Sequence, residues 1–166
     1  MPFSLVPDFL FRNYNEITPE FLQKHQIRLL LSDLDFTLAP KKNRHPDQAL
    51  KDWIAALQAH GITLMIISNN RSSTRVSDFC AELKIDYQGH AKKPSSRGLQ
   101  IAMRRAHINI EHTAMLGDKL LTDVLAARRA GVLALMVEPA GGAVTFWQKI
   151  LHALQAPFKK ICQGRR

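Results

Sequence analysis

The stretch Ile27-Arg-Leu-Leu-Leu-Ser-Asp33-Leu-Asp35-Phe-Thr37-Leu38 decides the fold. Ile27 to Leu31 is a short apolar run, as expected of a parallel strand covered on both faces. It ends abruptly in Ser32 and Asp33. The pattern recurs downstream. Ile62 to Ile67 runs into Ser68-Asn69-Asn70, Thr113 to Gly117 runs into Asp118, and Val132 to Val137 is a further apolar run. Ile85 to Tyr87 reads as a weaker strand.

Helical segments separate these runs. Thr18-Pro19-Glu20 is a helix start, a capping residue followed by proline at the first helical position. Asp47 caps a helix to about Ala59, with Leu50, Trp53, Ile54 and Leu57 on one stripe. Ser72 or Ser73 opens another, carrying Val76, Phe79, Cys80 and Leu83. Pro94 to His107 and Leu120 to Ala130 are further helices, and Gly131 stops the latter. Val144 to Leu154 is the last. Strands alternate with helices of about 10–14 residues, the crossovers that parallel strands need. The expected class is α/β, a three-layer sandwich around a mostly parallel, Rossmann-like sheet. The glycines match neither the GxGxxG loop of dinucleotide folds nor the GxxxxGK[ST] loop of nucleoside triphosphatases.

Compact polar residues collect where the strands end: Asp33 and Asp35, Ser68 and Asn69, Asp118. In open α/β sheets that edge holds the ligand. Asp33 and Asp35 are two residues apart, so alternation sends both side chains to one side. Two close carboxylates repel unless a cation or a shared proton intervenes. A hard divalent ion suits them, and Mg²⁺ leaves positions open for water and phosphate oxygens. Asp118 adds a third carboxylate and Asp123 follows it by one helical turn. Lys93 supplies a positive charge. These parts make a phosphoryl-transfer site. Asp33, first out of the strand, is the expected nucleophile. Asp35 is the expected acid and base.

The chain has 166 residues, read as a single domain 1–166. Its core spans about 27–137, with an N-terminal extension 1–26 and a C-terminal helix and tail 138–166. At 46% apolar residues a disordered chain is excluded. The 23 Lys and Arg against 14 Asp and Glu give a net charge of +9, which favours an anionic partner. Cys80 and Cys162 are too few for a disulfide framework. The apolar start is broken by Pro2, Pro7 and Asp8 and lacks a basic leader, so a cytoplasmic location is expected. Phe3, Leu5, Val6, Phe9, Leu10 and Phe11 either cover the domain's own core or touch a membrane surface.

Asp33-Leu-Asp35-Phe-Thr37-Leu resembles the DxDxT signature of the haloacid dehalogenase (HAD) superfamily of phosphatases. Ser68-Asn69-Asn70 is similar to its second motif, Lys93-Pro94 to its third, and Gly117-Asp118-Lys-Leu-Leu-Thr122-Asp123 to its fourth. Leu-Val-Pro-Asp near the start, Ile17-Thr-Pro-Glu and His90-Ala-Lys-Lys-Pro94 extend the likeness. They resemble subfamily IIIA bacterial phosphatases related to phosphatidylglycerophosphate phosphatase. The resemblance implies catalysis by Asp33 and Asp35, with Thr37, Ser68, Asn69 and Lys93 ordering the first aspartate or the phosphate. It implies Mg²⁺ held by Asp33, the Asp35 carbonyl and Asp118, supported by Asp123. Phe36 and Lys119 depart from the pattern, which often has Asn and Gln there.

From Asp35 to Ser68 is 33 residues and from Asn70 to Lys93 is 23, too few in either gap for a folded lid, so no large cap domain is expected. Lys41, Lys42, Arg44, Arg71, Arg75, Lys92, Arg97 and Lys119 lie near the strand ends as an anion-collecting rim. The expected activity is Mg²⁺-dependent phosphomonoester hydrolysis through an aspartyl-phosphate. The expected substrate is phosphatidylglycerophosphate or a similar phospholipid, met at an anionic cytoplasmic membrane face by peripheral contact. The alternative is a soluble sugar phosphate or nucleotide. A nucleic-acid end phosphatase is disfavoured by the lack of interleaved aromatics. A non-enzymatic binding module would not need this full set of groups, and no protein partner is identifiable.

Overall fold

The computed structural model describes residues 5–70 and 74–140, together with positions 153, 156, 157 and 160. Phe3, Arg71 and, apart from Ala153, the helix read over 144–154 lie outside the described residues. The strands are β1 (Phe9–Phe11), β2 (Leu29–Ser32), β3 (Thr63–Ile67), β4 (Asp86–Gln88), β5 (Thr113–Gly117) and β6 (Leu133–Val137). The helices are α1 (Pro19–Lys24), α2 (Gln48–Ala59), α3 (Thr74–Leu83), α4 (Arg97–Ala106) and α5 (Leu125–Ala130). The strands form one sheet in the order β1-β6-β5-β2-β3-β4, and every pairing is parallel.

The pleat divides the strand residues between two cores. Leu30, Leu64, Ile66, Ala114 and Leu116 face α2 and α3, represented by Leu50, Trp53, Leu57, Val76 and Phe79. Leu29, Leu31, Met65, Ile67 and Met115 face α4 and α5, represented by Leu99, Ala102, Ala126 and Ala127. Both faces are covered, which explains why the strands read as continuous apolar runs. The helix starts follow their capping chemistry. The Thr18 hydroxyl accepts the Phe21 N–H at 3.1 Å, and the Asp47 carboxylate accepts that of Leu50 at 2.8 Å. Gly131 ends α5 at φ +76°, a left-handed position that glycine fills without a Cβ penalty.

The chain steps from β2 to β3 to β4 in one direction and from β5 to β6 in the other. The order therefore reverses between β2 and β5, and at that switch point the strand ends open a crevice. Asp33 and Asp118 follow directly on these two strands.

Two elements differ from the reading of the sequence. Residues 9–11 are not simply an extension: they form an edge strand in register with β6. Asp8 anchors it, accepting two hydrogen bonds from Arg128 at 3.0 Å and one from the Ala134 N–H at 2.8 Å. Phe9 and Phe11 stand edge-on to Phe21 at 5.0 and 5.2 Å. Residues 5–11 of the apolar start thus cover the protein's own core, with Val6 and Leu10 buried. The helix read over 120–130 is also divided. Leu120–Val124 is a π-helical turn, and only Leu125–Ala130 is α-helical.

Candidate active site

The Asp33 N–H continues the ladder onto the Leu116 carbonyl at 3.0 Å, so the residue leaves β2 with its backbone fixed to β5. The Lys93 ammonium lies 3.2 Å from its carboxylate and 2.8 Å from that of Asp123. Lys93 and Asp123 are almost sealed from solvent, with side chains 3% and 1% exposed. Burial by itself favours the neutral amine. Asp123 and Asp33 outweigh it and hold the Lys93 pKa above its ordinary value.

The π turn places Asp123. Its widened backbone lets the second carboxylate oxygen accept the Lys119 N–H at 3.1 Å while the first meets Lys93. Gly117 makes room for this. A Cβ there would fall 2.2 Å from the Asp123 Cβ, closer than atoms approach. Asp118 is buried, and its Oδ1 accepts the Thr37 hydroxyl at 3.1 Å. Thr37 therefore orders Asp118 rather than Asp33. Burial pushes the Asp118 carboxyl up to about 7, Lys119 opposing and Asp123 and Asp33 adding to it.

Asp33, Asp118 and Asp123 each offer a carboxylate oxygen within 4.8 Å of the others. Hard oxygen donors, two of them buried, fit a divalent cation such as Mg²⁺. Asp123 has both oxygens engaged by Lys93 and Lys119, which suits support of the site better than direct ligation. The Asp35 carboxylate stands apart from this cluster and is held by Arg75 of α3.

Ser68 is buried at the end of β3, where its hydroxyl accepts the Asn70 N–H at 3.2 Å. The Asn69 amide grips the Lys93 main chain, donating to its carbonyl at 2.9 Å and accepting its N–H at 2.7 Å. Its visible task is to hold the Lys93 loop against β3. Phe36 adopts φ +63°, a left-handed position that asparagine tolerates and a bulky aromatic does not favour. Its N–H bonds the Ala39 carbonyl at 2.8 Å, and its ring lies 5.9 Å from the Lys119 ammonium. Burial lowers the Lys119 pKa, but Asp118, Asp33 and Asp123 raise it overall.

A family model described as HAD-hydrolase-like matches residues 90–141, which include Lys93, Asp118 and Asp123. Over 141 residues the chain is 33% identical to “Probable phosphatase YqeG” of Bacillus subtilis, spanning 85% of this chain and 81% of that protein. The chain belongs to the YqeG family of HAD-like phosphatases. Solved structures agree in fold. The 3-deoxy-D-manno-octulosonate 8-phosphate phosphatase of Yersinia pestis superposes with a TM-score of 0.54 at 17% identity, covering 86% of this chain and 88% of that one. The cobalt-bound deoxy-D-mannose-octulosonate 8-phosphate phosphatase of Haemophilus influenzae gives 0.50 at 18%, covering 80% and 90%. At such identities the likeness concerns the fold alone. This HAD-like phosphatase has no large cap over the strand ends among its described residues.

One connection was not legible in the phosphatase's sequence. Arg75 reads as a rim cation, yet it is paired to Asp35, and nothing in the spacing of residues 35 and 75 announces it.

Proposed function

We propose that the protein is a Mg²⁺-dependent phosphomonoesterase in which Asp33 is the nucleophile and Asp35 the general acid and base. The observation carrying this reading is the Asp33 carboxylate at the switch point, 3.2 Å from a buried ammonium and clustered with Asp118 and Asp123. Asp33 attacks phosphorus and the bond to the leaving oxygen breaks. Asp35 gives that oxygen its proton, so an alcohol departs and an aspartyl-phosphate remains. Asp35 then takes a proton from water, whose oxygen attacks phosphorus and frees Asp33 and inorganic phosphate. Lys93 holds its positive charge beside Asp33 throughout, where phosphate charge accumulates. Asp33 and Asp118, with the Asp35 carbonyl, would hold Mg²⁺. When bound, the ion offsets the charge that phosphate and carboxylates share.

For the substrate, a soluble phosphomonoester of the sugar-phosphate class is favoured. Of the apolar N-terminal segment that could insert into a bilayer, Leu5, Val6, Phe9, Leu10 and Phe11 are committed to β1 and the two cores. The two structural neighbours named above are phosphatases of a sugar-acid phosphate. No helix among the described residues is long and apolar enough to cross a membrane. A phosphatidylglycerophosphate-like headgroup is the second reading, supported by the exposed Lys41, Lys42 and Arg44 beside an uncapped site. A cytoplasmic setting suits both.

A panel of sugar, nucleotide and vesicle-borne lipid monophosphates, with and without Mg²⁺, tests the reading. Turnover of a soluble ester above that of the lipid is expected, and the reverse order selects the second reading. Asp33→Asn should abolish phosphoenzyme formation while the fold survives. Fluoroberyllate bonded to any other residue would overturn the nucleophile assignment.

A further inference from the structure

We propose that Arg75 is a positioning residue for the acid and base, a latch that fixes Asp35 and the following loop to α3 as one unit. This rests on the phosphatase reading above and adds a residue to it. The Arg75 guanidinium binds three acceptors spread along residues 35–43. One Nη donates to the Asp35 carboxylate, the other to the Pro40 carbonyl at 3.2 Å, and Nε to the Asn43 carbonyl at 3.0 Å. The Phe79 ring, one helical turn along α3, lies 5.6 Å from the guanidinium carbon and supports it from the side.

The need for such a latch follows from the loop. Asp35 has left the β2 ladder and sits in a tight turn, bridged to Ala39, in which the Leu34 carbonyl accepts from Thr37, Leu38 and Ala39 and the Phe36 N–H meets the Ala39 carbonyl; these bonds fix the main chain and leave the Asp35 side chain to find its own partner. Its side chain is 27% exposed, so water competes for the carboxylate. A proton donor must stay within hydrogen-bond reach of the leaving oxygen. Among the described residues, Arg75 is the cation that meets this carboxylate. A planar guanidinium satisfies three acceptors in one fixed orientation, whereas an ammonium on a flexible stem does not. The loop bearing Lys41, Lys42 and Arg44 is thereby tied to the same group that orients Asp35, so its position and the acid's position are coupled.

The test compares Arg75→Met and Arg75→Lys with the wild type. An alkyl phosphate needs the proton from Asp35, and p-nitrophenyl phosphate scarcely does. Arg75→Met should lower kcat for glycerol 3-phosphate at least about tenfold more than for p-nitrophenyl phosphate, a fraction of the about 10²–10⁴ that general acid catalysis supplies. Arg75→Lys should fall between. Amide hydrogen exchange of residues 41–44 should quicken in both variants while the β2 and β5 amides keep their protection. Equal losses on the two esters, or unchanged exchange in the loop, would overturn the proposal. If Arg75→Met fails to fold, the leaving-group ratio and loop exchange of Arg75→Lys decide it. A wild type inactive on every phosphomonoester refutes the phosphatase reading instead, and the exchange measurement still tests the latch.

Discussion

Replacing Lys93 by Met removes the ammonium that bridges Asp33 and Asp123 and keeps most of its stem. At 3.2 and 2.8 Å each attraction amounts to about 5–6 kcal/mol at an effective dielectric of about 20. The cost of burying the amine offsets much of this in the wild type. In the variant that offset vanishes, and Asp123 is left buried without its counter-charge. Three carboxylates within 4.8 Å then repel by about 3 kcal/mol per pair at the same dielectric. Removing one partner of a buried pair generally costs about 3–5 kcal/mol. For a chain of this size that lowers Tm by on the order of 10 °C. The loss should shrink at about pH 5, where an orphaned, desolvated carboxylate takes up a proton. Urea denaturation in the presence of a chelator, at about pH 8 and pH 5, measures both. Lys93→Met combined with Asp123→Asn should lose less than Lys93→Met alone, because no buried charge is orphaned. A Lys93→Met variant within about 1 kcal/mol of wild type at the higher pH, or a deficit independent of pH, would refute the buried counter-ion.

Three further outcomes are expected. With its carboxyl raised from 3.8 to about 7, Asp118 keeps a proton in the folded, metal-free chain that the unfolded chain has released. Its contribution to stability therefore declines as pH rises through that window, and Mg²⁺, which needs the ionised form, reverses the decline. Mg²⁺ should raise Tm more at about pH 8 than at about pH 6 in thermal melts, and equal shifts would contradict this. Gly117→Ala should destabilise by about 1–3 kcal/mol and nearly abolish turnover, since the new Cβ displaces Asp123; a denaturation curve with parallel kinetics checks it. Asn69→Ala removes both side-chain bonds to the Lys93 main chain and should cost about 1–3 kcal/mol. Its kcat should fall while Mg²⁺ affinity by titration stays unchanged.

The strand ends were legible because parallel strands buried on both faces must be apolar along their length. The first polar residue then marks where each strand leaves the sheet. Asp33, Ser68 and Asp118 are therefore marked by the sequence as lying on one edge of the sheet. Edge strand β1 was not legible, because a three-residue strand without alternation is defined by its partner, and β6 lies more than 120 residues away. The π turn at Leu120–Val124 escaped for a related reason. The local pattern is that of an α-helix, and the departure accompanies the long-range pull of Lys93 on Asp123.

The sequence by itself determined the class of fold, the edge that carries the chemistry and the residue types gathered there. Apolar periodicity and capping are local properties, and they are written in neighbouring residues. The tertiary structure alone decided which partner each polar group takes. It set Thr37 on Asp118, the Asn69 amide on the Lys93 main chain, and Arg75 on Asp35. It also turned the apolar N-terminal segment inward to the sheet. Such pairings depend on distances between residues 24 to 126 positions apart in the chain, which are fixed only when both faces of the sheet are packed.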